Sequence, residues 1–154
     1  MAQITIPGAG ASDEDAKGRA MDIERFEQRR LAWFRLHGFE GSGRRVTAAD
    51  GRGTYVLDSG GEGTPIVLVH GGLAEASVWG ALAGRVPGRV VAVDRPGCGL
   101  SDAVDYRDVD LRSDSVAWLD GLLTSLGAEQ AHLVGNSMGG YATMAFATAH
   151  PDRV

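Results

Sequence analysis

The length of 154 residues suits one domain with a buried core, and 44% hydrophobic and 23% charged residues are typical of a globular protein. A net charge of −5 argues against binding to nucleic acid or to an anionic membrane, and no apolar stretch is long enough to span a bilayer. The single cysteine, Cys98, excludes an internal disulfide and a cysteine-based metal site. Because the N-terminus lacks a secretory signal, we expect a cytoplasmic protein. We also expect neither a metal nor a cofactor.

The first 40 residues are expected to form a tail and a helix, and the main domain is expected to cover residues 41–154. Residues 1–21 are polar and rich in glycine and alanine, which is typical of a tail. A helix is predicted from Asp22 to about His37, and its apolar residues favour packing on a sheet. The arginine pair Arg29-Arg30 is expected to lie on a solvated face.

Turn signals and apolar runs predict an alternation of strands and helices in the main domain. Asp50-Gly51 between two strand-like runs, 44–50 and 53–58, favours a hairpin. The elements predicted next are strand 65–70, helix 76–86, strand 89–94, helix 110–126, strand 131–135 and a helix from Tyr141 to Ala149. This order predicts an α/β protein with a mostly parallel sheet and helices on both faces, whose active site lies at the carboxyl ends of the strands.

Chemically suggestive residues follow each of the three predicted parallel strands. They are His70-Gly71-Gly72, Asp94-Arg95 and Ser137. Ser137 is the centre of Gly135-Asn136-Ser137-Met138-Gly139, a Gly-x-Ser-x-Gly pattern typical of a nucleophile elbow, the tight turn that lifts a serine hydroxyl clear of a sheet. The buried strand before it and the alanine-rich helix after it favour this interpretation over a glycine-rich turn without chemistry.

Taken together, these motifs resemble the α/β-hydrolase superfamily, in its branch of small esterases, carbon–carbon bond hydrolases and perhydrolases. The match spans roughly residues 45–154, and its most specific parts are Asp94-Arg95-Pro96-Gly97-Cys98-Gly99-Leu100-Ser101 and the elbow. The resemblance implies the α/β-hydrolase fold. A serine at the elbow, rather than an aspartate, argues against haloalkane dehalogenases and epoxide hydrolases.

The resemblance also implies a role for several residues. Ser137 would be the nucleophile, and the backbone amides of Met138 and Gly72, with Leu73 as the neighbouring option, would form the oxyanion hole. The Met138 amide would benefit from the positive end of the helix dipole.

Other residues of the motifs have structural roles in this resemblance. His70 would be a structural residue of its loop, and Asp94 and Arg95 would fix loops beside the site. Cys98 would be a turn residue rather than a thiol nucleophile.

One departure from the family pattern concerns the catalytic triad, whose acid and histidine follow the serine along the chain. The only such residues after Ser137 are His150 and Asp152, and His150 would lie about 20 Å away, at the far end of the predicted helix. We therefore expect the N-terminal half of a hydrolase, truncated after the nucleophile helix.

The sequence thus predicts a serine hydrolase for a small acyl-type substrate, namely an ester, thioester, amide or activated C–C bond, that is inactive as the 154-residue chain. An inactive fragment and a non-catalytic ligand-binding or interaction protein on the same fold remain alternatives. Strand 131–135 is expected to be an exposed sheet edge, through which the chain would self-associate.

Overall fold

A long N-terminal helix precedes the sheet in a computed structural model, which describes residues 13–154 and their side chains from residue 23 onward. This helix, α1, spans Asp13–Leu36. The predicted tail is therefore wrong for residues 13–21, which are helical, and residues 1–12 lie outside the described residues. Acidic residues at the start of a helix stabilise it through the helix dipole. The segment is polar and has no apolar stripe, so apolar periodicity does not predict a helix there.

Five strands form one mixed sheet in the order β1-β2-β4-β3-β5. The strands are β1 (Ser42–Thr47), β2 (Gly53–Asp58), β3 (Ile66–Val69), β4 (Val90–Val93) and β5 (His132–Gly135). The predicted hairpin is confirmed as the antiparallel pair β1–β2, and β2 pairs antiparallel with β4. β3 pairs in parallel with both β4 and β5, so the α/β prediction is confirmed and the parallel half of the sheet is β4-β3-β5.

The register of the parallel strands places the three sequence motifs at one edge of the sheet. Val69, at the end of β3, pairs with Val93 of β4 and with Gly135 of β5. The residues that follow these three positions therefore leave the sheet side by side. This is the edge at which parallel α/β sheets hold their active sites.

Helices cover both faces of the sheet. On one face, α3 (Leu111–Ser125) and α4 (Met138–Ala149) pack against a core of valines from β3 and β4. On the other face, Phe34 of α1 is fully buried in a second core cluster, which confirms that α1 packs on the sheet.

The predicted helix 76–86 is shorter in the structure. It consists of a 3₁₀ turn, Ala76–Trp79, followed by α2, Gly80–Ala83. Glycine is a poor helix former, and both Gly80 and Gly84 lie where a side chain would overlap α1 or its C-terminal turn. Close contact with α1 therefore favours glycines here and limits the helix to one turn. No helix among the described residues is long and apolar enough to cross a membrane.

The sheet has two edge strands, β1 and β5, and β5 is the one that leads into the Ser137 turn. β5 pairs only with β3, and Val134 of β5 is 38% exposed. The neighbouring face of α4 is also apolar and open, with Met144 66% exposed. Unpaired strand edges readily pair with other chains.

We predict that the chain self-associates through β5 and that oligomer size in light scattering increases with concentration. Val134→Lys places a charge on the edge and should shift the population towards monomer. Leu36→Lys, at an exposed apolar residue of α1 away from this edge, is the matched control and should leave the oligomer size unchanged. A monodisperse monomer at high concentration of the parent chain would contradict the prediction.

Candidate functional site

Ser137 occupies a strained turn between β5 and α4. Its φ is 51° and its ψ is −117°, in a region that non-glycine residues rarely adopt, and the predicted positive φ is thereby confirmed. The turn is closed by hydrogen bonds from the Gly139 amide to the Asn136 carbonyl (2.8 Å) and from the Tyr141 amide to the Ser137 carbonyl (3.0 Å). Ser137 stands at the N-cap of α4, but its side chain makes no capping hydrogen bond, so the hydroxyl is free for other chemistry.

The two glycines of the motif are required by close backbone contacts. A Cβ atom on Gly139 would overlap the carbonyl oxygen of Val69 and would lie 2.6 Å from that of His70. A Cβ atom on Gly135 would overlap the backbone of Gly139. The start of α4 therefore rests directly on the end of β3, and this contact fixes the height of Ser137 above the sheet.

The loop after β3 lies against the elbow. A Cβ atom on Gly71 would lie 3.3 Å from the Ser137 Cβ, and one on Gly72 would lie 3.7 Å from the Met138 Cγ. Leu73, next in the chain, has a φ of 53°, and Leu73 and Ser137 are the only non-glycine residues with positive φ between residues 13 and 154. Strain of this kind costs about 1–3 kcal/mol per residue and concentrates at functional sites.

The backbone amides predicted to form the oxyanion hole are available. Within the described part of the chain, the amides of Gly72, Leu73 and Met138 donate no hydrogen bond to another backbone group or side chain. Such amides normally find a partner in water or ligand. Gly72 is a neighbour of Met138, whose Cγ would lie 3.7 Å from a Cβ on Gly72, and the choice between Gly72 and Leu73 stays open.

A cleft of about 380 Å³ opens beside the serine. Its lining residues are Gly71, Gly72, Ala74, Val78, Trp79, Asn136 and Ser137. Its walls are apolar on the side of the β3 loop and polar at the elbow. This combination suits a small molecule with an apolar part and a polar group.

His70 is held as a structural residue. Its ring is fully buried, Nε2 accepts a hydrogen bond from the Arg95 amide (2.9 Å), and Nδ1 lies 2.7 Å from the Gly71 carbonyl oxygen. Because Nε2 accepts, Nδ1 carries the proton and donates to Gly71. Burial lowers the pKa of His70 below its usual value, so the ring stays neutral.

The residues after β4 fix the surrounding loops, as expected for Asp94 and Arg95. The fully buried carboxylate of Asp94 accepts hydrogen bonds from the amides of Ala76 (2.8 Å) and Leu100 (2.9 Å). The Arg95 guanidinium donates to the Gly71 carbonyl oxygen (3.1 Å). The loop after β3 is thus tied to the loop after β4 by backbone and side-chain contacts.

Arg30 is buried beside this region, contrary to the expectation from the sequence. The solvated face predicted for Arg29-Arg30 is wrong for Arg30, which is 3% exposed and donates to Asp94 Oδ2 (2.7 Å). Arg30 lies four residues after Phe26 and four before Phe34, on helical spacing with apolar residues. That spacing was the available signal that its side chain faces inward.

The order of the elements and the mixed sheet define an α/β protein with a strained serine turn at the carboxyl edge of its parallel strands. The alpha/beta hydrolase family model matches residues 66–154, more than half of the chain, and the chain belongs to that family.

Two curated relatives and two solved structures illustrate the similarity. The chain is 42% identical over 104 residues to the 2-hydroxy-6-oxononadienedioate/2-hydroxy-6-oxononatrienedioate hydrolase of Paraburkholderia phymatum, covering 63% of this chain and 35% of the relative. It is 38% identical over 120 residues to the 2-hydroxymuconate semialdehyde hydrolase of Pseudomonas sp. strain CF600, covering 73% of this chain and 40% of the relative. The chain therefore spans well under two thirds of these relatives.

The structural neighbours include two esterases of Bacillus subtilis. A carboxylesterase superposes with a TM-score of 0.69 at 29% identity, covering 87% of this chain and 47% of the esterase. The naproxen esterase superposes with a TM-score of 0.72 at 26% identity, covering 95% of this chain and 49% of the esterase.

The contact between α4 and β3 generates a prediction for stability. Gly139→Ala should lower the free energy of unfolding by about 1–3 kcal/mol or more. The added Cβ would overlap backbone atoms that cannot move out of its way. Gly140→Ala is the matched control, since its Cβ would lie 3.4 Å from the Gly135 carbonyl oxygen and alanine favours a helix. Urea denaturation measures both. Equal stability of the two variants would contradict this account of the elbow.

The buried neutral His70 generates a prediction for pH dependence. Because its pKa is lowered in the folded state, the unfolded chain binds more protons at this group below about pH 6.5, and stability falls as the pH decreases. One proton accounts for at most about 1.4 kcal/mol per pH unit. His70→Asn should flatten the change in urea midpoint between pH 7.5 and 5.5. An unaltered slope in the variant would show that His70 does not cause the effect.

Proposed function

We propose that Ser137 is the nucleophile of a serine hydrolase that acts on a small acyl-type compound. The observation that carries the proposal is the strained Ser137, whose hydroxyl caps no helix and faces a cleft beside unbonded backbone amides. Strain at an exposed serine persists only when the surrounding structure enforces it, here through Gly135 and Gly139.

The proposed chemistry is attack of the Ser137 hydroxyl on a carbonyl carbon, giving a tetrahedral oxyanion that the Met138 amide and the amide of Gly72 or Leu73 would stabilise. Met138 begins α4, so its amide lies at the positive end of that helix dipole. One donor of this kind is worth about 3–4 kcal/mol of activation free energy. Collapse of the intermediate would break the bond to the leaving group, which departs with the proton that the base took from Ser137, and would leave an acyl-enzyme. Water would then hydrolyse the acyl-enzyme to a carboxylic acid and free Ser137.

A serine needs an adjacent base, and we propose that this base is supplied by residues outside these 154. Among the four histidines of the chain, His70 has both ring nitrogens engaged, and His150 follows the far end of α4, about 20 Å from Ser137. His132 begins β5, at the opposite end of the strand from the elbow, and His37 directly follows α1. The chain covers well under two thirds of the length of its relatives, which also supports a base outside these 154 residues.

The substrate class is proposed from the cleft and from the names of the relatives. Trp79, Val78 and Ala74 give the cleft an apolar wall beside the reactive serine. The relatives are hydrolases of unsaturated oxo acids, and the structural neighbours include carboxylesterases. We therefore propose an ester or an oxo compound with an activated C–C bond as the substrate.

A fluorophosphonate probe tests the proposal. Residues 1–154 alone should not be labelled, because no base reaches Ser137 in the described structure. A chimera that continues into the C-terminal part of the Pseudomonas 2-hydroxymuconate semialdehyde hydrolase should be labelled, and Ser137→Ala should abolish the labelling.

Ser113→Ala provides the matched control for an exposed serine outside the site and should leave labelling unchanged. The chimera is first shown to be folded by circular dichroism. A folded chimera that resists the probe, or one labelled equally with Ser137→Ala, would contradict the assignment of Ser137. Stoichiometric labelling of the isolated chain would contradict the external base.

A further inference from the structure

Helix α1 contributes a buried charge to the loops of the site, although it lies outside the residues that match the family model. Arg30 Nη1 donates to Asp94 Oδ2 (2.7 Å) and lies 3.1 Å from Glu75 Oε2. Asp94 follows β4, and Glu75 lies in the loop after β3. A single guanidinium nitrogen of α1 therefore joins the two loops that surround the serine.

Both carboxylates hold the backbone of the segment that follows Gly72 and Leu73. Asp94 Oδ1 accepts from the Ala76 amide (2.8 Å), and Glu75 Oε2 accepts from the Ser77 amide (2.9 Å). Trp33 of α1 adds a third contact, because its Nε1 donates to the Ser77 carbonyl oxygen (3.0 Å). Residues 75–77 are thus bonded to α1 and to Asp94, only a few residues from the strained Leu73.

The Arg30 side chain has little freedom to leave this position. Its Cζ lies 5.1 Å from the centre of the Phe26 ring and 4.9 Å from that of Tyr55, so aromatic rings pack against the guanidinium. The Tyr55 hydroxyl donates to the Glu27 carboxylate, which ties Tyr55 to α1.

The burial of Arg30 is unfavourable for stability in one respect. Its Nε and Nη2 atoms are buried without a hydrogen-bond partner among the described residues. Unsatisfied buried donors cost free energy, and each one in a native structure calls for an explanation. Because these unsatisfied donors lower stability, the buried Arg30 is better explained by a role at the site than by a contribution to the core.

We propose that Arg30 is a positioning residue for the oxyanion hole: through Asp94 and Glu75 it holds residues 72–77 so that the amide of Gly72 or Leu73 faces the reacting oxygen. The proposal rests on the proposed role of Ser137. It assigns α1 a role in catalysis that the family motifs alone do not contain.

Hydrogen exchange of the 154-residue chain tests the positioning without any enzymatic activity. Arg30→Met should increase the exchange rates of the Ala76 and Ser77 amides at least about tenfold, because both bonds lose their anchored acceptors. Amides in β5 and α4 should exchange as in the parent. Arg29→Met, an exposed neighbour on the same helix, is the matched control and should change nothing. Unchanged exchange of Ala76 and Ser77 in folded Arg30→Met would overturn the proposal.

Glu75→Gln keeps the test decisive if Arg30→Met fails to fold. The glutamine retains an oxygen that can cap the Ser77 amide but removes the charge that faces Arg30. We expect faster exchange of the Ser77 amide, by a smaller factor than in Arg30→Met. Exchange equal to that of the parent would show that the ion pair does not hold the loop.

The chimera that has not been treated with the probe supplies the catalytic measurement, with p-nitrophenyl acetate as substrate. Arg30→Met should lower kcat by about 10²-fold with KM nearly unchanged, since displaced oxyanion donors act on the transition state. Arg30→Lys should recover part of kcat because it retains one cation. A raised KM with unchanged kcat would contradict the proposal. Retained labelling of Ser137→Ala would instead overturn the proposed nucleophile, and the exchange result would stand on its own.

Discussion

Asp94 receives hydrogen bonds from three separate segments of the chain: the loop after β3 through Ala76, its own loop through Leu100, and α1 through Arg30. Its carboxylate is fully buried, so no water compensates its charge, and these donors must do so. Removing one partner from a buried ion pair costs about 3–5 kcal/mol. The three segments therefore cannot move independently, and the geometry of the serine site depends on this one carboxylate.

A second constraint acts through the backbone. The first turn of α4 touches the end of β3 at Gly139, and the turn between β5 and α4 leaves Ser137 at a positive φ. Leu73, the other strained residue, lies in the loop that meets the elbow from the opposite side. Both strained residues lie beside the same cleft. The backbone strain of the fold is therefore concentrated where the chemistry is proposed.

Exposure of Ser137 bears on how the site would work. In the described residues the serine is solvent-exposed, because it follows β5, a strand at the edge of the sheet that pairs only with β3. Oxyanion stabilisation is strongest where water is excluded and the local dielectric constant is low. A wall over the β5 side of the cleft would therefore strengthen the stabilisation proposed for the amides of Met138 and of Gly72 or Leu73.

The sequence by itself determined the strands, the hairpin, the elbow with its positive φ and the common edge of the three motifs. These features follow from local signals, namely apolar runs, Asp50-Gly51 and Gly-x-Ser-x-Gly, together with the parallel order of the strands. Only the tertiary structure decided the start of α1, the short turn at 76–83 and the inward position of Arg30. Arg30 and Asp94 are 64 residues apart, and the burial of a charged side chain depends on which distant carboxylates the folded chain brings to it.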